Sequence, residues 1–396
     1  MNQQPEPRLQ LPDDLRPVWA EINLDHIAHN IREIRRKAPK DAKIMAIVKA
    51  NGYGHGALQV GRTALANGAA LLGVAIVEEA IHLRKGGITA PIHILGMPPA
   101  GQAELVVEND ASCAISSWTV AEALSQAAQR LGKAARVHLK VDTGMGRLGL
   151  LPGDAPEFAE KLTHLPGLQV EGIFTHFATA DEADKSFTRS QFQVFRKVQA
   201  ALEARGIRIP LAHVANSAAI LDLPEMCTGA VRPGIMTYGL YPSRDVSRSV
   251  ELRPAMRLKA RVVLARHLPA GAGISYGRTY VTKRPTTVAL LPLGYADGFS
   301  RLLSNKAEVL IRGRRMPVVG RICMDQSMVA APVGAEVAEG EEAVIFGTQG
   351  QEAIPVEEVA DRLRTINYEV VCMVGARVPR VYIQDGRVSE IVDVNR

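Results

Sequence analysis

The sequence predicts an α/β protein with an N-terminal (β/α)8 barrel of the TIM type and a C-terminal mainly-β domain. Three observations carry this. Short apolar runs at 44–48, 71–75, 92–95, 113–115, 137–141, 170–174, 213–215 and 230–232 alternate with stretches of helical spacing, such as 77–85 and 119–131. Eight such runs over about two hundred residues fit a closed barrel better than an open doubly wound sheet. Near Leu252 the alternation stops, and runs rich in Val, Ile and Leu follow, separated by Gly, Pro or Asp-Gly. A chain of 396 residues is also long for a single core.

In chain order, residues 1–17 form a polar, proline-bearing tail without the apolar centre of a signal peptide. Residues 18–24 read as a strand, and Asp25 as the cap of a helix carrying Ile27, Ile31 and Ile34. The barrel domain is expected over 18–250, its first strand free to pack with the β domain instead. The β domain is expected over 251–396, with strands at 256–264, 287–292, 309–311, 316–322, 343–346 and 378–383 and one clear helix at 356–364.

Composition excludes several classes. Hydrophobic residues make up 47% and charged residues 22%, ordinary for a folded protein. The net charge of +6 is spread out, and aromatics are only 5%, so no nucleic-acid surface is expected. Arg312, Arg314 and Arg315, the densest basic cluster, read as a solvated hairpin tip. Cys113, Cys227, Cys323 and Cys372 lie far apart with no Cys-x-x-Cys pair, which suits a reducing cytoplasm. No apolar run approaches 18 residues, so no membrane span is expected.

Chemistry in such barrels sits at the C-terminal ends of the strands. That rule places Lys49 after the first strand, Asp142 and Arg147 after the fifth, and His176 after the sixth. Asn216 and Ser217 follow the seventh, and Arg232 and Gly234 the eighth. Lys49 ends the apolar run 44–48 and opens the glycine-rich turn Asn51-Gly52-Tyr53-Gly54-His55-Gly56. Burying an ammonium is costly, and a lowered pKa leaves a neutral amine able to attack a carbonyl.

Gly144-Met145-Gly146-Arg147-Leu148-Gly149 matches the dinucleotide fingerprint, but Leu150-Leu151-Pro152-Gly153 follows where a helix must open. The ten histidines show no metal-ligand spacing, so no metal is expected. Phosphate binding is better supported. Backbone amides at Gly234 and Ile235, the Ser217 hydroxyl and a helix opening after Asn216-Ser217 could form a cradle, although Ser217 alone reads equally as an N-cap. An amine beside such a cradle points to pyridoxal 5'-phosphate (PLP) held as a Schiff base.

The stretch Val48-Lys49-Ala50-Asn51-Gly52-Tyr53-Gly54-His55-Gly56 resembles the PLP attachment motif of the alanine racemase family. Lys140 to Gly149, Gly273-Ile274-Ser275-Tyr276-Gly277, Gly294-Tyr295-Ala296-Asp297-Gly298, Cys323-Met324-Asp325-Gln326 and Asn367-Tyr368-Glu369 match the same family in the same order. The resemblance covers essentially everything after residue 17. Gly52 stands where many members carry alanine.

The resemblance implies two-base racemisation of L-alanine to D-alanine for peptidoglycan, in the cytoplasm, by a homodimer. Lys49 is implied to hold the cofactor and act as one acid/base group, with Tyr276 of the other subunit on the opposite face. Arg232 is implied at the pyridine nitrogen, with His176 hydrogen-bonded to it and Asn216 near the ring. Tyr53, Ser217, Gly234, Ile235 and Tyr368 are implied at the phosphate, and Arg147 and the Met324 backbone at the substrate carboxylate. Tyr295 and Tyr368 are implied to narrow the approach. Lys140 matches a lysine carbamylated in many members; from residues alone, a buried lysine paired to Asp142 fits as well. Tyr276 alone reads equally as a tyrosine packed beneath a glycine loop. The competing readings are a racemase of broader range acting on serine or basic amino acids, a decarboxylase of the same barrel type, and a PLP-binding barrel protein without the β domain.

Overall fold

A computed structural model describes residues 11–394, so residues 1–10 of the expected tail lie outside the described residues. The chain forms two compact units. One takes the chain up to Asp25 and again from Ala255, and the other is His26–Pro254.

Strands are numbered along the chain from β1 (Val18–Asn23). The unit His26–Pro254 holds β2 (Lys43–Ile47), β3 (Leu71–Val74), β4 (Ile92–Ile94), β5 (Ala111–Ile115), β6 (Ala135–Lys140), β7 (Leu168–Phe174), β8 (Leu211–His213) and β9 (Ala230–Val231). They pair in the order β8-β7-β6-β5-β4-β3-β2-β9, every pair parallel. Beyond β8 and β9, a parallel bridge between Asn216 and Arg232 draws the two edges together, with the Arg232 N–H donating to Ala215 O at 2.9 Å. The strands read as apolar runs because both faces are covered; every residue of β3, β4 and β5 is buried. The helices between them, such as Val77–Lys85 and Trp118–Leu131, turn apolar faces inward.

The other unit is built on an eight-stranded sheet in which β1 is central. It pairs antiparallel with β10 (Met256–Arg261) on one side and parallel with the strand Arg380–Gln384 on the other. Val18, Trp19, Ala20 and Ile22 are buried. So is Glu21, whose carboxylate is held by Lys259 at 2.9 Å and by the Trp19 Nε1–H at 3.1 Å. A three-stranded sheet, Leu264–Leu268, Thr286–Leu291 and Ser327–Ala330, and a two-stranded ribbon, Gly273–Ile274 with Tyr280–Val281, carry the loops discussed below.

Three local expectations change. The first helix opens at Leu24, and the Asp25 carboxylate accepts from the Asp385 N–H at 2.8 Å instead of capping it. The β unit has a second helix, Asn367–Cys372, too short and too rich in valine to show a helical period. Arg312 and Gly313 do form a hairpin tip with positive φ. Arg315, however, is not simply solvated: it bonds Glu358 at 2.7 and 2.9 Å and Glu308 at 3.2 Å.

Because Ile22 is fully buried in the central strand, Ile22→Ala should lower the unfolding free energy by about 2–5 kcal/mol in urea titrations. Leu302→Ala, at a position 66% exposed, should change it by less than about 0.5 kcal/mol.

Candidate active site

The turn after β2 is left-handed. Ala50, Asn51, Gly52 and Tyr53 all have φ between 51° and 62°, and Gly52 N–H closes on Val48 O at 2.8 Å. Each non-glycine residue held this way costs roughly 1–2 kcal/mol, and such strain persists only where surroundings enforce it. Here Glu79 spans the gap, accepting from Ala50 N–H at 2.5 Å with one oxygen and from Ala75 N–H at 2.7 Å with the other. Asn51 Oδ1 caps Ala57 N–H at 3.1 Å. The Tyr238 hydroxyl donates to Ile47 O at 2.8 Å, while its ring lies against Tyr53 and His55. Lys49 therefore stands between a buried strand and a rigid turn.

Arg232 is 4% exposed, and no carboxylate lies within ion-pair distance among the described residues. Its Nη1 donates to His213 O at 2.6 Å and His213 Nδ1 at 3.0 Å. Its Nη2 donates to Thr175 O at 2.9 Å, Val214 O at 3.1 Å and His176 Nδ1 at 3.2 Å. No described group accepts from Nε. Burial pulls this guanidinium down to about 9, still protonated at neutral pH.

Arginine can only donate, so His213 Nδ1 must accept, and its Nε2–H then donates to His138 Nδ1 at 2.8 Å. His93 stacks on His138 at 3.9 Å between centroids, and Phe174 stacks on His213 at 4.6 Å. Burial is the main reason that His93, His138 (about 3), His176 and His213 all titrate far below ordinary histidine, with Arg232 adding to it. The sequence reading missed this trio. His93, His138 and His213 come from three strands, and their nitrogens lie within 4.8 Å of one another, a grouping able to hold a metal. His213 and His138, however, already engage Arg232 and each other.

Lys140 is buried with its Nζ 4.5 Å above the Phe174 ring. The alternative reading of Lys140, a pair with Asp142, is not formed. Asp142 turns to the backbone N–H groups of Gly144, Met145 and Arg147 at 2.8–3.1 Å; these outweigh its burial and hold its carboxyl low. The same contacts fold 144–149 into a tight loop with no helix at its end. Burial, then the charges of Arg232 and Arg147, push the Lys140 amine well below the usual lysine range. His176 feels Arg232, Lys140, Arg147 and Lys49 together. One end of the barrel thus gathers four basic side chains.

Asn216, not Ser217, caps the helix Ser217–Asp222, accepting from Ala219 N–H at 3.0 Å. Ser217 Oγ accepts from Gly234 N–H at 2.9 Å and Met236 N–H at 3.5 Å. A Cβ at Gly234 would lie 2.7 Å from the Tyr53 hydroxyl, so any other residue here would have to push that hydroxyl aside. The Ile235 N–H is buried and meets no acceptor among the described residues. Hydroxyls and amides without a carboxylate suit a phosphate.

Tyr276, Met324 and Tyr368 belong to the other unit. Tyr276 is 69% exposed on a loop where Ser275, Gly277 and Arg278 have positive φ. Ser275 Oγ donates to Arg321 O at 2.6 Å, and the Arg321 guanidinium lies against Gly277. Met324 and Tyr295 are also exposed, on loops joined by Tyr295 N–H to Cys323 O and Ala296 N–H to Met324 O, both 3.0 Å. Tyr368 is half-buried in the helix Asn367–Cys372.

Two family models match the chain, "Alanine racemase, N-terminal domain" over residues 22–242 and "Alanine racemase, C-terminal domain" over residues 255–382. Alanine racemase 2 of Caldanaerobacter subterraneus subsp. tengcongensis is 48% identical over 380 residues, 96% of this chain and 98% of its own length. The crystal structure of alanine racemase from Bacillus anthracis with bound L-Ala-P matches with a TM-score of 0.92 at 38% identity, covering 96% of this chain and 99% of that one. The alanine racemase of Clostridium difficile 630 in complex with cycloserine gives a TM-score of 0.90 at 40% identity, with coverages of 95% and 98%.

The four depressed histidines set an acid limit. Their folded pKa values lie below the unfolded value of about 6.5, so the unfolded chain takes up protons first and stability falls as pH drops through that value. Each histidine should remove about 1.4 kcal/mol per pH unit below 6.5, down to its folded pKa. Urea titrations from pH 7.5 to 5.5 should show this loss, and His138→Phe should reduce its slope by about one proton; a pH-independent midpoint would contradict it.

Proposed function

The chain belongs to the alanine racemase family, and from that premise we propose that it is a PLP-dependent isomerase interconverting L- and D-alanine. The observation that carries the cofactor assignment is Arg232, with both Nη groups engaged by neutral acceptors and Nε left over, beside hydroxyls and amides that include no carboxylate. When bound, PLP supplies an electron sink that acidifies the substrate Cα–H.

In this reading Lys49 holds the cofactor and then moves a proton at the substrate Cα from one face, serving D-alanine. Tyr276 moves a proton from the other face, serving L-alanine; racemisation needs two groups because removal and return occur on opposite sides. With the cofactor bound, Arg232 would offer its Nε–H to the ring nitrogen as a donor that keeps its own proton. His176 and the His213–His138 chain hold the guanidinium, and Asn216 lies near the ring. Tyr53, Ser217, Gly234, Ile235 and Tyr368 hold the phosphate.

Arg147 and the Met324 backbone N–H, which meets no acceptor among the described residues, bind the substrate carboxylate. Lys140, a buried amine with no carboxylate within ion-pair distance among the described residues, suits carbamylation, after which it would orient Arg147. Tyr295 and Tyr368 favour a small side chain. No helix among the described residues is long and apolar enough to cross a membrane, and we place the enzyme in the cytoplasm, supplying D-alanine for peptidoglycan. The strongly exposed Tyr276 and Met324 support a homodimer in which each barrel is completed by a second copy of the chain.

Incubation of the purified protein with PLP and L-alanine in heavy water should give D-alanine and loss of the Cα proton; no exchange would refute the reading. Turnover of serine, lysine and arginine should be far slower. Lys49→Ala should abolish the visible absorbance of the lysine-bound cofactor together with activity. Mixing inactive Lys49→Ala and Tyr276→Ala proteins should restore activity through one intact site per mixed dimer, and no recovery despite subunit exchange would count against the shared site.

A further inference from the structure

We propose that Asp297, Arg377, Asp325 and Arg16 form a positioning clamp that sets the Met324 loop for the substrate carboxylate. This rests on the alanine racemase reading above, in which the Met324 backbone meets that carboxylate.

Asp297 is fully buried. Its Oδ1 takes Arg16 Nη1 and Arg377 Nε, both at 2.7 Å, and its Oδ2 takes Gly294 N–H at 3.0 Å. Arg377 then reaches outward, with Nη2 donating to Asp325 Oδ1 at 2.6 Å. One planar guanidinium therefore spans from a buried carboxylate to the residue that follows Met324. The guanidinium meets the two carboxylates through separate, fixed edges, Nε and Nη2, whereas a lysine would have to draw both to one nitrogen.

The loops at either end of this strut are already one body. Besides the two backbone bonds between 295–296 and 323–324, Gly294 approaches so closely that a Cβ there would lie 2.2 Å from Met324 O. Cys323 N–H closes the second loop on Gln326 O at 2.9 Å. Asp297 also ties in the chain beyond the helix Asn367–Cys372, its carbonyl accepting from Gly375 N–H at 2.9 Å.

Arg16 adds an anchor from the other end of the sequence, donating to Arg377 O at 3.2 Å and Pro292 O at 3.3 Å as well. It precedes residue 22, where the family match begins. The segment before β1 thus acts on a loop some three hundred residues away. Two arginines and two aspartates balance, so removing any one leaves a charge uncompensated, partly in the interior.

The test uses full-length Arg377→Lys and Asp325→Asn proteins, with Arg16→Ala as a third variant. Asp325 is exposed, so its variant folds even if the Asp297 side of the clamp proves essential to stability. KM for alanine should rise about tenfold, the worth of one charge-assisted hydrogen bond, with kcat changed less than about twofold. The cofactor's visible absorbance should not change. Amide hydrogen exchange at Tyr295, Ala296 and Cys323 should accelerate. Faster exchange with unaltered KM would reduce the clamp to a structural tie and overturn the positioning role; unaltered exchange would overturn the clamp itself. Wild-type protein inert toward alanine would instead overturn the functional reading, which the exchange data would distinguish from failure of the clamp.

Discussion

Burying the Arg232 guanidinium without a carboxylate dictates much of what surrounds it. A cation in the interior must have its hydrogens accepted, and here carbonyls of Thr175, His213 and Val214 and two imidazole nitrogens do so. Accepting obliges His213 and His176 to stay neutral, and His213 to carry its proton on Nε2, which in turn fixes His138. The guanidinium sits at the bridge where the first and last parts of the sheet meet. Barrel closure, histidine tautomers and the direction of the Nε–H are therefore one problem with one solution. A neutral side chain at this position would release the histidine tautomers and leave no Nε–H to direct.

The second concentration of cost is the left-handed turn beyond β2, and it lies beside Lys49. Strain of this kind is stable only when external contacts over-determine it, and Glu79, Asn51 and Tyr238 supply them. The result is a lysine whose backbone cannot drift. Arg232 and Arg147, both sensed by His176, make the same region electropositive, so an anionic cofactor and an anionic substrate would be drawn to it, and their own charges would relieve the repulsion.

Much of this was legible in the sequence, because strand periodicity and the barrel's strand-end rule are both local in origin. The eight apolar runs appear as strands within a few residues of their expected positions, and Lys49, Asn216, Ser217, Arg232 and Gly234 follow them directly. What stayed hidden was set by tertiary pairing. His93, His138 and His213 occupy single positions within short apolar strands, where nothing local marks them as neighbours. Residues alone left Lys140 open between a carbamylated lysine and a partner of Asp142, and the Asp142 carboxylate is taken by loop amides instead. Asn216 displaced Ser217 as the cap because Ser217 is committed to Gly234 and Met236. Arg16 and Asp297 are 281 positions apart, beyond the reach of any pattern in one sequence.

The central place of β1 has a consequence for how the protein is made. Its antiparallel partner begins at Met256 and its parallel partner at Arg380, so β1 leaves the ribosome long before either exists. At roughly 5–20 residues per second, translation keeps it waiting for tens of seconds. During that interval His26–Pro254 can form all its parallel pairings from chain already synthesised. An apolar, β-rich strand would meanwhile dangle from a folded barrel, open to pairing with another nascent chain. Joining β1 to its partners is thus a late, long-range event, and the segment carrying Arg16 can reach its place only once the last strands have emerged.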